Sequence, residues 1–454
     1  MKREKTMGTL DMIGMALSAF VSMELISSQA LEGPSIVGSF ILIGGIYVIT
    51  HCLICAELGG AYPDQGGIYV WVRRGLGEKW AARVNWWYWL NVVAFVPSIM
   101  IPMIGVFQQL FFPEMSFTML IILSIAGSWL IAILTMLPLK GSKLLNNAGT
   151  AAKIIFCAAL ILGGIMVAAG GGSQVEWSLG NITPAFNMGL VALIPTFAYG
   201  LTGMDAIATA SEEMKDPKRD MPRAMIISTV IAMLLYVFSI VAVETILPVD
   251  AIDTTTGLID SIMAVFGSGG IVSVLMGIAL ALLYFSNAFA WPLAANKAAQ
   301  EAAEEGEFPK VFAISNKWGS PVGGAIVLAI ASTVLILFYA LVANTNENLF
   351  WTILAFTGII FLTPYVFMDL AFLKLRKDDP DAPRPIAVPG KVLPTIVAVI
   401  NLAMLIFSIG AFLLPPEGEG MIYVVIQIAM IVITQVICEV IISRAEKNKQ
   451  QAEN

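Results

Sequence analysis

The sequence predicts an all-α polytopic membrane protein of about 12 transmembrane helices, and three observations predict it. The 454-residue chain is 58% hydrophobic and only 13% charged, with a mean hydropathy of +0.84. A soluble domain of that size needs far more charged surface. Apolar stretches such as "IVGSFILIGGIYVITHCLIC" (Ile36–Cys55) and "MLIILSIAGSWLIAILTML" (Met119–Leu137) recur along the chain. Each is long enough to cross about 30 Å of hydrocarbon. Finally, lysine and arginine gather in every second gap between these stretches.

In order, the spans fall near residues 11–33, 36–59, 84–111, 118–138, 147–170, 188–213, 223–247, 267–301, 321–343, 348–372, 393–414 and 419–443. Basic residues lie before the first span (Lys2, Arg3, Lys5) and after the second (Arg73, Arg74, Lys79, Arg83). They follow the fourth (Lys140, Lys143), the sixth (Lys215, Lys218, Arg219, Arg223) and the eighth (Lys297, Lys310, Lys317). They return after the tenth (Lys374, Arg376, Lys377, Arg384, Lys391) and in the tail (Arg444, Lys447, Lys449). Of the 25 basic residues only Lys153, inside span five, falls outside these groups at the span ends. The intervening loops, "LPVDAIDTTTGLID" among them, carry acids and neither lysine nor arginine. By the positive-inside rule both termini are cytoplasmic and the span number is even. The opening "MKREKTMGTL" leads directly into a span, unlike a cleaved signal peptide. The net charge of −7 says little about partners, because acids collect outside and bases inside; no nucleic-acid partner is expected. His51 with Cys52 and Cys55 offers no evident further ligand, so neither a metal nor another cofactor is expected.

A chain with nearly all its mass in the bilayer is expected to move something across it. Membrane enzymes tend to show His- or Asp-rich catalytic runs, and a single histidine argues against one. A channel would need polar faces on several helices, and a receptor a larger domain than the 444–454 tail. Polarity is instead concentrated in two spans. In "FAYGLTGMDAIATASEEMKDPKRDMPRA" the sixth span is interrupted by Gly200 and Gly203, with Asp205 directly behind. Unpaired backbone groups are tolerated in hydrocarbon only around a cavity or packed protein. The glycines either admit a close helix neighbour or open the helix to bind a solute. The first span carries Ser18, Ser22, Ser27 and Ser28, with Glu24 among them. Two polar spans five apart are the spacing of two five-helix repeats, each starting with a discontinuous helix.

Four motifs carry a family resemblance. They are Gly203-Met204-Asp205 followed by "KDPKRDMPRA", "YPDQGGIYVWVRRGLG" after span two, "AAEEGEFPKVFAISNKWGSP" after span eight, and "APRPIAVPGK" before span eleven. In order and on one membrane side, they make the chain resemble the amino acid–polyamine–organocation superfamily, in its branch of bacterial permeases and amino acid/amine antiporters. The resemblance implies a LeuT-like 5+5 inverted repeat, with 11–170 and 188–372 as the two repeats and 393–443 as two extra peripheral helices. It implies a substrate held at the breaks by Ser22, Met23, Glu24, Phe197, Tyr199, Gly200, Gly203 and Asp205, with Trp291 of span eight beside them. Pro292 would kink that span. Lys153 corresponds to a lysine that replaces a bound cation in proton-coupled relatives; its alternative is snorkelling to the nearby cytoplasmic edge. The proton is the expected coupling ion, with Lys153, Asp205 and Glu24 as its candidate carriers. The chain departs from the family in span one, where "FVSMEL" lacks the glycines that usually hold a carboxylate. Glu24 and Asp205 therefore favour a substrate with at least one amino group. The expected function is proton-coupled symport of amino acids across the cytoplasmic membrane, or alternatively amino acid/amine exchange. The aromatic run "NWWYWLN" (Asn85–Asn91) reads as an interfacial belt. The apolar outer surface is compatible with a homo-oligomer.

Overall fold

The computed structural model describes residues 8–64, 66–137, 142–341, 343, 345–415 and 420–453. The first span is split where its serines lie. A helix over Thr9–Phe20 ends in extended backbone at Val21 and Ser22, and a tight turn over Met23–Leu25 then starts a second short helical run to Glu32. Neither half is long enough to cross a bilayer alone. Among the described residues, eleven other helices are long and apolar enough to do so. They begin with Ser35–Ala61, Glu78–Phe111, Phe117–Thr135, Leu144–Ala169 and Met188–Ala208. Pro217–Ile246, Ile271–Glu304, Val322–Ala340, Asn346–Asp378, Leu393–Ala411 and Met421–Ala445 follow.

Burial sorts these helices. In Glu78–Phe111 and Met188–Ala208, 89% of the apolar window is buried, and in Asn346–Asp378, 83%. The share falls to 33% in Leu393–Ala411 and 22% in Met421–Ala445, which therefore lie at the outside. The broken segments pack against Pro217–Ile246 and against each other, and the second also against Asn346–Asp378, so protein rather than lipid can satisfy their backbone groups.

Two local expectations are corrected. The third span begins at Glu78, not at 84, which places Asn85–Asn91 two to three turns inside a helix. Trp86, Trp87 and Trp89 are buried there rather than facing an interface. The Trp89 indole N–H donates to Asn296 Oδ1 (2.9 Å) and that of Trp87 to Gln435 Oε1 (3.0 Å). These partners come from helices distant in sequence, so the run alone does not reveal its buried use. Second, the loop after span two contains a helix, Ile68–Leu76, entered through Gly67 at φ +52° with Trp71 fully buried. The eighth span runs over Ile271–Glu304 with Pro292 inside it.

The C-terminal end of span two is tied to the loop after span ten by a buried carboxylate. Glu57 accepts from Arg376 Nε (2.7 Å) and Nη2 (2.5 Å), and from the Val388 N–H (2.7 Å). Arg384 Nε stands 3.1 Å from the same carboxylate. The "APRPIAVPGK" motif thus folds around one acid on a neighbouring helix.

Candidate functional site: a closed cavity between two broken helices

The sixth span starts cleanly: the Asn187 side chain caps it by accepting the Leu190 N–H (2.7 Å). It stops at Gly200 because the chain turns through Leu201 and Thr202 to Gly203, whose φ of +122° suits only glycine. A tight helical turn over Met204–Glu213 follows. Gly203→Ala is expected to strain this turn by about 1–3 kcal/mol and to lower the unfolding temperature of the purified protein. A variant that unfolds like the parent would mean that the break tolerates a side chain.

Between the two breaks lies a small cavity of about 10 Å³, lined by Ser22, Asn91, Phe95, Tyr199, Thr202, Trp291 and Phe361. Trp291 forms the centre of its aromatic wall. Its ring meets Phe361 at 6.0 Å edge-on, Phe95 at 6.2 Å and Tyr88 at 6.0 Å, while Tyr199 meets Phe361 at 5.2 Å. Asn91 is buried, and among the described residues its Oδ1 has no hydrogen-bond partner. No lysine or arginine contributes to the lining.

The other sequence candidates surround this cavity. Glu24 is buried in the first turn beyond the span-one break, and neither carboxylate oxygen has a hydrogen-bond partner among the described residues. Met23 turns away to Cys157, whose thiol lies 3.5 Å from its sulfur. Phe197 lies outside the lining and packs edge-on against Phe40 at 5.0 Å. Gly200 faces Tyr236, and a Cβ there would stand 2.7 Å from the Tyr236 hydroxyl. Asp205 also lies outside the lining; it accepts the Tyr365 O–H at 2.9 Å, beside His51. Lys153 does not snorkel. Its ammonium is buried and donates to the carbonyls of Leu17 (3.1 Å) and Val21 (2.8 Å), the last turn of the first half-helix.

Asn91, Phe95, Thr202 and Phe361 line the cavity without having been singled out in the sequence. Asn91 carried a trace, as an amide in mid-span. Phe95 and Phe361 carried none, being aromatic residues within apolar stretches of their helices.

The family model described as "Amino acid permease" matches residues 7–436. The chain belongs to the amino acid permease family. It is 28% identical over 371 residues, 78% of each chain, to a probable agmatine/putrescine antiporter of Lactococcus lactis. It is 24% identical over 421 residues to an uncharacterized transporter of Legionella pneumophila, covering 91% of this chain and 90% of that one. This permease is an integral multi-pass membrane protein of a transporter family. Its family accounts for the broken helices, since a transporter is where freed backbone and a midplane cavity are useful.

Proposed function

We propose that this permease exchanges amine-bearing solutes across the cytoplasmic membrane by alternating access, with both termini on the cytoplasmic side. The carrying observation is the cavity wall: Trp291, Tyr199, Phe95 and Phe361, with an unpaired buried amide oxygen and no basic side chain. Aromatic faces attract a desolvated ammonium or guanidinium, and Asn91 Oδ1 accepts one of its protons. Glu24, and Asp205 held by Tyr365, add negative charge when ionised. The volume of about 10 Å³ holds no more than a water, so this is a closed form. Loading requires the elements around the breaks to separate toward one side or the other. Exchange is favoured by the relative from Lactococcus lactis, whose printed name is that of an antiporter.

The test is uptake of labelled amino acids, putrescine and agmatine into proteoliposomes. Stimulation by unlabelled solute preloaded inside, without a proton gradient, supports exchange; uptake equal in empty vesicles overturns it. Trp291→Ala is expected to weaken amine binding by about 2 kcal/mol, roughly 30-fold, the scale of a desolvated cation–π contact. Trp291→Phe should retain most of it, which titration calorimetry would read directly. Equal affinity in both variants would remove the aromatic wall from recognition.

A second reading, net uptake driven by protons, is favoured by one observation. Lys153 holds the carbonyls at the span-one break, so loss of its proton would free that half-helix.

A further inference from the structure

The breaks in spans one and six are joined by a side chain from a third element. Tyr236, in the seventh span Pro217–Ile246, is fully buried, with its ring against Phe40 at 5.5 Å. Its hydroxyl oxygen accepts the Ser22 N–H at 2.7 Å and stands 3.1 Å from the Gly200 carbonyl and 3.3 Å from that of Ser22. A phenol has one proton, so it donates to one of those carbonyls while accepting from Ser22. One hydroxyl therefore occupies backbone groups freed at both breaks. Gly200 makes the placement possible, because a Cβ there would fall 2.7 Å from the hydroxyl oxygen and 3.1 Å from Leu25.

We infer that Tyr236 is a specificity-determining pin, which admits an amine to the site and turns away a substrate carboxylate at the span-one break. The N-terminus of a half-helix is the natural seat of an anion, through its free N–H groups and its dipole. Here the Ser22 N–H faces an oxygen that is already its acceptor, so a carboxylate must displace the tyrosine to reach it. The next turn carries Glu24, buried, with both oxygens unpaired among the described residues. That carboxylate repels a second one and receives an ammonium. The groups that feel its charge are Lys153, Tyr199, Tyr236 and Tyr284. Lys153, the one cation among them, is directed to Leu17 and Val21. The site therefore takes a carboxylate-free organic cation, a diamine or guanidino-amine, in preference to the α-amino acid with the same side chain. This rests on the amine-transport reading above.

The experiment uses matched pairs on the purified full-length permease: putrescine against ornithine, and agmatine against arginine. Wild type is expected to bind the carboxylate-free member more tightly in each pair. Tyr236→Phe should narrow that ratio about tenfold, the scale of one charge-assisted hydrogen bond. Amide exchange at Ser22 should rise about as much in the same variant, because its acceptor is gone. Gly200→Ala, which pushes the hydroxyl aside, should move both readouts in the same direction if Tyr236→Phe fails to fold. An unchanged ratio with faster exchange overturns the specificity role, and unchanged exchange overturns the pin itself. A wild type that binds neither member of either pair overturns the amine-transport reading and the specificity drawn from it, while the exchange result still decides the pin.

Discussion

Glu57→Ala is expected to destabilise the purified permease by about 3–5 kcal/mol, the cost of removing one partner of a buried ion pair. The carboxylate is only 2% exposed, and the side chains of Arg376 and Arg384 are 20% and 12% exposed. Without it both guanidinium groups stay largely enclosed with their charge uncompensated, and the Val388 N–H loses its acceptor. Glu57→Gln should fall between, since an amide keeps the shape and one acceptor oxygen but not the charge. Thermal or denaturant unfolding in detergent measures both. A loss below about 1 kcal/mol, the range of an exposed ion pair, would mean that this clamp is open in solution. The reverse change, Arg376→Ala, should cost less than Glu57→Ala, because Arg384 and the Val388 N–H still hold the acid.

Lys153→Ala is expected to reduce transport at least about tenfold in any mode, because each carbonyl it leaves unpaired costs about 1–3 kcal/mol in the buried state. Substrate affinity measured in detergent should change far less, since Lys153 lies outside the cavity lining. Lys153→Arg separates the two roles. Arginine can renew the hydrogen bonds to Leu17 and Val21 but does not release a proton near neutral pH. If Lys153 couples protons, the arginine variant keeps exchange in preloaded proteoliposomes and loses gradient-driven uptake into empty ones. If both activities survive equally, Lys153 is a structural pin and the proton-driven reading falls.

The two breaks were legible in the chain because the residues that cause them are local. Gly203 adopts a backbone angle closed to other residues, and the serines of span one stand out within an apolar run. Tyr199 and Trp291 came from the family resemblance, and both reach the cavity lining. Lys153 was ambiguous for a physical reason: it lies toward the N-terminal end of its helix, and only packing decides whether a long side chain reaches water or a neighbour. The neighbour was the carbonyl end of a broken helix, which has acceptors to offer. The tryptophan run at Asn85–Asn91 misled because Trp serves equally at a membrane interface and in a packed core, provided its N–H finds a partner. That partner, Asn296, is more than two hundred residues away.

By itself, then, the sequence determined the solvent, the approximate limits of the spans, the two interruptions and the family motifs. Each of these is a matter of run length, charge placement or a single residue's backbone freedom. Tertiary structure alone decided the cavity wall from spans three, eight and ten, the Tyr236 pin, the reach of Lys153 and the clamp on Glu57. A membrane helix apolar on all sides does not disclose in its sequence which face looks inward. The aromatic that meets substrate and the aromatic that meets lipid become different only when the helices pack.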